Sequence, residues 1–459
     1  MTTLWSGRFD AAPHAAAYQW GTSFAFDRRL FEDDVAGSLA WAEALARAGV
    51  LSREDAHAIG TTLADILARG RSDSTYINGA DEDVHSFVER QLVDRLGDTG
   101  RRLHTGRSRN EQVSLDLRMY LRRRIPLLQG AVCGVASSLL SLARSAGDTL
   151  MPAYTHFRPA QPILVAHFLL AYAAPLRRDH ERLARAREEA DALPLGSGAI
   201  AGTSYAIDVD WLARELGFSR VVLNSIDASS DRDFAATFLY ACALTMVHLS
   251  RLAEDLIIFS GDEHRYFELS DGLSTGSSMM PQKKNPDPLE LVRGKTGRAI
   301  GHLTALLATL KGLPSGYNKD LQEDKQAVFD AEDTLAGCLD VVQAVTEGLT
   351  LNRERATAAA SGLLLATDVA DYLVGHGVPF RRAHEIVGGL VRKLVAEARE
   401  FTSLTIHEWQ QASPLFGPDI LARITPDASV AAKHTPQSTA PAAVQAAMAE
   451  LERWLATTA

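Results

Sequence analysis

The chain has 459 residues, a formal net charge of −10, 46% hydrophobic and 23% charged residues. That balance belongs to a globular protein with enough apolar side chain for a large core. It argues against a nucleic-acid binder, which would carry a basic stripe, but permits an anionic small molecule held by a local cluster of cations. Cys133, Cys242 and Cys338 are widely spaced and form no CxxC pair, so neither a disulfide framework nor a zinc site is expected. Met1–Arg8 shows no apolar leader core, and no apolar run reaches the roughly 18 residues of a membrane span. The expected location is the cytoplasm.

Residues 1–108 read as a first helical region. Helical periodicity covers Asp27–Ala48 and Ser52–Arg69, and Ser52-Arg53-Glu54-Asp55 is a helix start with acids in its first turn. A third element near Asp81–Leu96 carries Asp83, His85 and Glu89. The region ends in a polar, basic, non-periodic run, Arg101–Asn110. Such a run is either a solvated loop or an anion-binding turn.

Residues 109–360 read as a central region of long helices: Glu111–Ala146, Ile163–Ala190, Ile226–Ser260, Pro286–Leu310 and Lys319–Gly348. Between Ile226 and Ser260 there is no glycine or proline. Phe234, Phe238, Ala241, Thr245, His248 and Leu252 form one stripe, and Leu239, Cys242, Met246, Leu249, Ala253 and Leu256 a second. Two adjacent stripes make a wide apolar face, so this helix belongs inside a bundle. Kinks are expected at Pro126 and Pro175. Gly294, Gly297 and Gly301 fall near one helix face, which predicts close backbone packing there, within the chain or across a subunit contact. Residues 361–459 read as a smaller helical region. Thr405-Ile406-His407-Glu408-Trp409 is a helix start. No alternating strand longer than a few residues is evident.

Gly294-Lys295-Thr296 invites a phosphate-loop reading. The motif needs a glycine five residues before the second one, and Leu289 stands there, inside a helical run. No HExxH or GxGxxG is present, and no GxSxG elbow appears near a strand. The chemistry therefore rests on polar segments that interrupt the helices: Gly21-Thr22-Ser23, Thr105–Asn110, Tyr154–Pro162, Ser274–Pro288 and Ser315–Lys325. In Ser274–Pro288, hydroxyls precede two lysines and an amide, and Asn285 is placed to cap the helix behind it. His156 follows a threonine and stands two residues before an arginine, in a segment stiffened by Pro159 and Pro162, a setting suited to acid–base work. Glu290, about one turn into its helix, is a carboxylate able to orient an imidazole. Cations with hydroxyls imply a carboxylate-bearing substrate. A histidine and an activated serine imply proton transfer. Together they fit proton removal beside a carboxylate followed by loss of a leaving group, with cations stabilising the carbanion.

Gly276–Pro286 resembles the signature of the fumarase/aspartase superfamily of lyases. His104–Asn110, Tyr154-Thr155-His156 and Ser315–Gln322 resemble one branch, the argininosuccinate lyases with their relatives the delta-crystallins, and the likeness runs in order along nearly the whole chain. The resemblance implies a mainly α fold of three helical domains, with a central bundle that assembles into a homotetramer around a twenty-helix core. It implies cleavage of argininosuccinate to arginine and fumarate; from composition and motifs, no cofactor, no metal, no nucleic acid and no membrane are expected. It gives catalytic roles to His156, Ser277, Lys283 and Glu290: Ser277 takes the proton beside the succinyl carboxylate, and His156, held by Glu290, serves the departing nitrogen. The reverse assignment of these two stays open. Substrate contacts fall to Ser23, Arg109, Asn110, Thr155, Asn285, Tyr317, Gln322 and Lys325, and Asp83, His85 and Arg232 also match family positions. Around Gly21–Asp27 the sequence departs from the asparagine and tyrosine more usual there, while Ser23 and Asp27 remain. Same-superfamily alternatives are a fumarase, an aspartase or an adenylosuccinate lyase. A different class is a structural helical protein that has lost activity.

Overall fold

A computed structural model describes residues 14–458. Helices dominate, and every described strand belongs to a two-stranded pairing. The chain folds into two compact units, one of residues up to 129 with 181–243 and 298–334, the other of 130–180, 244–297 and 335 onward.

In the first unit, helix α1 (Phe31–Arg47) buries Phe31, Val35, Trp41 and Leu45, and α2 (Arg53–Ser72) buries Ile59, Leu63 and Ile66. Each such side chain contributes about 1.5–3 kcal/mol by leaving water. Ser52 caps α2 by accepting from the Asp55 N–H at 3.0 Å, as its sequence position predicts. Helix α3 (Val84–Leu96) is capped by Asp83, and its Phe87 stacks on Phe24 with ring centroids 5.3 Å apart.

The long helices are α4 (Arg109–Ala146), α5 (Val165–Ala190), α6 (Asp233–Ser260), α7 (Asp287–Leu310) and α8 (Asp324–Gly348). Both α4 and α5 run on through Pro126 and Pro175. By length and composition α4 is the one continuous described helix apolar enough to cross a membrane. Its Leu128, Val132, Val135 and Leu139 are nevertheless buried in protein, as in a core helix.

Four sequence expectations are corrected. The run Ile226–Ser260 is two helices, Ser225–Ser230 and α6, because Asp231 turns to cap the Asp233 N–H at 2.8 Å while Arg232 points into the interior. Asn285 is not a helix cap: its side chain lies 3.5 Å from Thr275 Oγ1, and the Pro286 carbonyl receives the first N–H groups of α7, from Leu289 and Glu290. Of the two packings expected at Gly294, Gly297 and Gly301, the one within the chain does not occur: that face of α7 is open. The segment before α5 is a hairpin, β1 (Leu150–Thr155) with β2 (Arg158–Leu164), whose prolines and short alternation hid it. The second unit ends in a cluster built on Leu365, Leu373, Leu390, Leu394, Trp409 and Phe416, with Thr405 and Glu408 forming a capping box.

Candidate active site

In the first unit a cavity of about 200 Å³ gathers Ser23, Arg109, Asn110, Tyr317, Gln322 and Lys325, six of the eight expected substrate contacts, with Asp27, Glu82, Asp83, His85 and Lys319. The Ser23 hydroxyl donates to Asp27 at 2.5 Å, and the other Asp27 oxygen accepts the Val84 N–H at 3.0 Å. Burial pushes the Asp27 carboxyl up, opposed by His85 and by the serine hydroxyl. Arg109, the first residue of α4, donates to both Asp83 oxygens at 2.7 and 2.6 Å and to Ser86 Oγ at 3.0 Å. Asp83 is thereby fixed twice, by this pair and by capping the Ser86 N–H at 2.7 Å. Burial opposes its charge, but His85 and Arg109 outweigh burial and hold its carboxyl well below the usual range.

The far wall comes from the Ser315–Lys325 segment. Gln322 donates to the Gly21 carbonyl at 3.3 Å. Lys325 donates to Asp324 at 2.9 Å, and Asp324 also holds Arg232, all three side chains being buried. Burial pushes the Tyr317 phenol up to about 12, so it stays a hydrogen-bond donor at neutral pH. Asn110 donates to the Ala199 carbonyl at 3.3 Å. The wall thus offers cations, carboxylates and neutral donors side by side, which suits a zwitterionic amino-acid end better than a purely anionic ligand.

At His85, which itself lines the cavity, sequence reasoning missed a buried cluster. His85 Nδ1 lies 2.8 Å from Asp34 Oδ1 and 3.3 Å from Asp116 Oδ2, and Gln112 donates to Asp34 at 2.5 Å. Burial is outweighed at Asp34 by His85 and Arg107, which hold its carboxyl low, whereas burial and the Asp34 charge push Asp116 well above its usual range. These three side chains have the donor atoms and spacing of a cation site. The nearby Arg107 already supplies positive charge, so the donor set fits a hydrogen-bonded cluster better. The available signal was acidic residues on otherwise apolar helix faces.

The other expected residues lie in the second unit. His156 and Phe157 are the two turn residues of the β1–β2 hairpin, between the paired Thr155 and Arg158. Ser277 opens the loop closed by the antiparallel pairs Thr275 with Asn285 and Gly276 with Lys284. Its Oγ accepts the N–H groups of Met279 at 3.3 Å and Met280 at 3.1 Å. Two such donors favour a serine oxygen carrying negative charge. Lys284 is tied to Asp271 at 2.8 Å, while no carboxylate among the described residues pairs with Lys283. Glu290 lies 3.7 Å from Arg293, and within the described chain no hydrogen bond joins it to His156.

The helical frame carries a hydroxyl-and-lysine loop, and residues 7–301 match the family model described as Lyase, which sets the class of protein. Residues 363–431 match the model described as argininosuccinate lyase C-terminal. The argininosuccinate lyase of Moorella thermoacetica is 47% identical over 99% of this chain and 98% of its own length. That of Thermosynechococcus vestitus is 48% identical over 94% of both. The chain belongs to the argininosuccinate lyase family. Among solved structures, EDDS lyase in complex with formate superposes with a TM-score of 0.86 at 27% identity, over 98% of this chain and 91% of that one. The 3-carboxy-cis,cis-muconate lactonizing enzyme from Pseudomonas putida shares the fold, with a TM-score of 0.75 at 20% identity, over 96% of this chain and 98% of that one.

Proposed function

We propose that this lyase cleaves argininosuccinate to arginine and fumarate. The carrying observation is the cavity of Ser23, Arg109, Asn110, Tyr317, Gln322 and Lys325, on a chain 47% identical to argininosuccinate lyases over almost its whole length. In this reading Ser277, its oxygen stabilised by two N–H groups, takes the proton from the carbon beside a succinyl carboxylate. Lys283, Asn285 and Thr155 bind the carboxylates and stabilise the carbanion as it forms. The carbanion expels the guanidinium nitrogen with its electron pair, and His156, assisted by Glu290, returns a proton to that nitrogen. The two N–H donors on Ser277 favour this assignment over the reverse.

The proposal includes a homotetramer, supported by helices of about 24–38 residues and by Leu291, Ile300 and Leu307, which stay exposed on α7 beside its open glycine face. Such an assembly is what would bring segments from different subunits to one substrate. The three-region division at about residues 108 and 360 belongs to the same proposal. So does a cytoplasmic location, which suits three free cysteines. Ultraviolet absorbance of released fumarate, read with argininosuccinate, adenylosuccinate, aspartate and malate, tests the reaction. Turnover confined to argininosuccinate is expected; turnover of another substrate, or of none, would overturn it. Light scattering on the purified protein tests the tetramer.

A further inference from the structure

His156 stands on a turn that its own sequence does not favour. Two-residue hairpin turns with positive φ at both positions ordinarily use Asn-Gly or Gly-Gly. Here His156 has φ 54° and the next residue, Phe157, φ 56°. Phe157 is 78% exposed, so burial of its ring does not hold the turn. Side chains in this region of backbone space persist only where the surroundings over-determine them.

The surroundings that do so centre on Tyr154, one residue before Thr155. Its hydroxyl lies 2.7 Å from the Tyr266 hydroxyl. Its ring packs on Phe259 at 5.4 Å and meets His264 edge-on at 5.8 Å. Tyr266 is a fixed post: its N–H donates to the Phe259 carbonyl and its carbonyl accepts the Asn352 N–H, both at 2.8 Å. Arg355 ties down the turn before it by donating to the His264 and Glu263 carbonyls at 3.0 and 3.1 Å. The pairing of β1 with β2 also shifts between Pro152 and Tyr154. A register shift of this kind re-aims the side chains beyond it.

We propose that the Tyr154–Tyr266 hydroxyl pair is a positioning clasp, holding the strained turn so that Thr155 and His156 keep one orientation for the reaction. The clasp rests on the reading of His156 as the acid–base histidine. Burial and Tyr266 push the Tyr154 phenol above its usual value, so it stays protonated through the working pH range. Its task is geometric: it gives up no proton and touches no substrate.

The test compares Tyr154→Phe, Tyr266→Phe, the double variant and His156→Asn by fumarate release. Each tyrosine variant is expected to lose at least fivefold in kcat, with KM within twofold and an unchanged melting temperature. The double variant is expected to lose no more than either single, because all three break the same bond. The pH–rate profile is expected to keep its shape and lose height. A kcat within twofold of the parent in both single variants would overturn the clasp, as would losses that multiply in the double variant. A profile whose inflections move would show a tyrosine titrating in the reaction and would also overturn it. His156→Asn separates the two readings. If it is inactive while the tyrosine variants are normal, the clasp alone fails; if it remains active, the role of His156 fails and the clasp with it.

Discussion

Replacing Asp324 with asparagine tests how the cavity wall is held. Its carboxylate is shared by Arg232 and Lys325, and the three side chains are 0%, 0% and 3% exposed. Asparagine keeps the volume and removes the charge, leaving two buried cations without the acid they share. Removing one partner of a buried pair costs about 3–5 kcal/mol. Two cations depend on this one acid, and Arg232 Nη2 already lacks a partner, so the upper half of that range is expected. At about 1.4 kcal/mol per tenfold, the folding equilibrium shifts by roughly three powers of ten. The pH dependence follows from the same contacts. Burial opposes the Asp324 charge, yet Lys325 and Arg232 outweigh it and hold the carboxyl below its ordinary value. A depressed acid stabilises the fold above its unfolded value, near pH 4, and the contribution disappears as pH falls through the folded value. Urea unfolding followed by tryptophan fluorescence, from neutral pH down to pH 3, reads both effects. The variant is expected to lose the stated stability at pH 7 and to show a shallower acid limb. Its KM is expected to rise, since Lys325 is no longer fixed in the wall. A loss under about 1 kcal/mol with a parental acid limb would refute the account.

Ser277→Ala is expected to lower kcat by at least about a hundredfold, the lower end for a lost acid–base group; turnover near the parental rate would remove Ser277 from the mechanism. In the buried cluster at His85, Asp116→Asn is expected to cost less than Asp34→Asn, because burial and the Asp34 charge already push the Asp116 carboxyl up and oppose its ionisation. Asp34→Asn removes the charge facing His85 and Arg107 and is expected to cost about 3 kcal/mol or more; equal losses in urea unfolding would show both carboxyls charged. The Ser277–Lys283 loop is expected to become protected from protease when substrate binds, as a lid closing over the site, and equal cleavage with and without ligand would count against closure.

The sequence by itself determined the helical class, the caps at Ser52 and Thr405, and the residue types of the site. These are local matters: apolar spacing decides which face of a helix is buried, and a hydroxyl before a run of helix formers caps it. The Gly276–Pro286 signature and the cationic segments were legible for the same reason, since their chemistry lies in adjacent residues. Tertiary structure alone decided which segments meet. It joined Arg109 to Asp83, and Arg232 to an aspartate 92 positions away, and the pull on Arg232 accompanies the break in a run that periodicity read as one helix. It set two non-glycine residues in a left-handed turn and placed Asp34, His85 and Asp116 together out of water. The strength of such contacts depends on burial and on separations of a few ångströms, and both are fixed only when elements distant in the chain have packed.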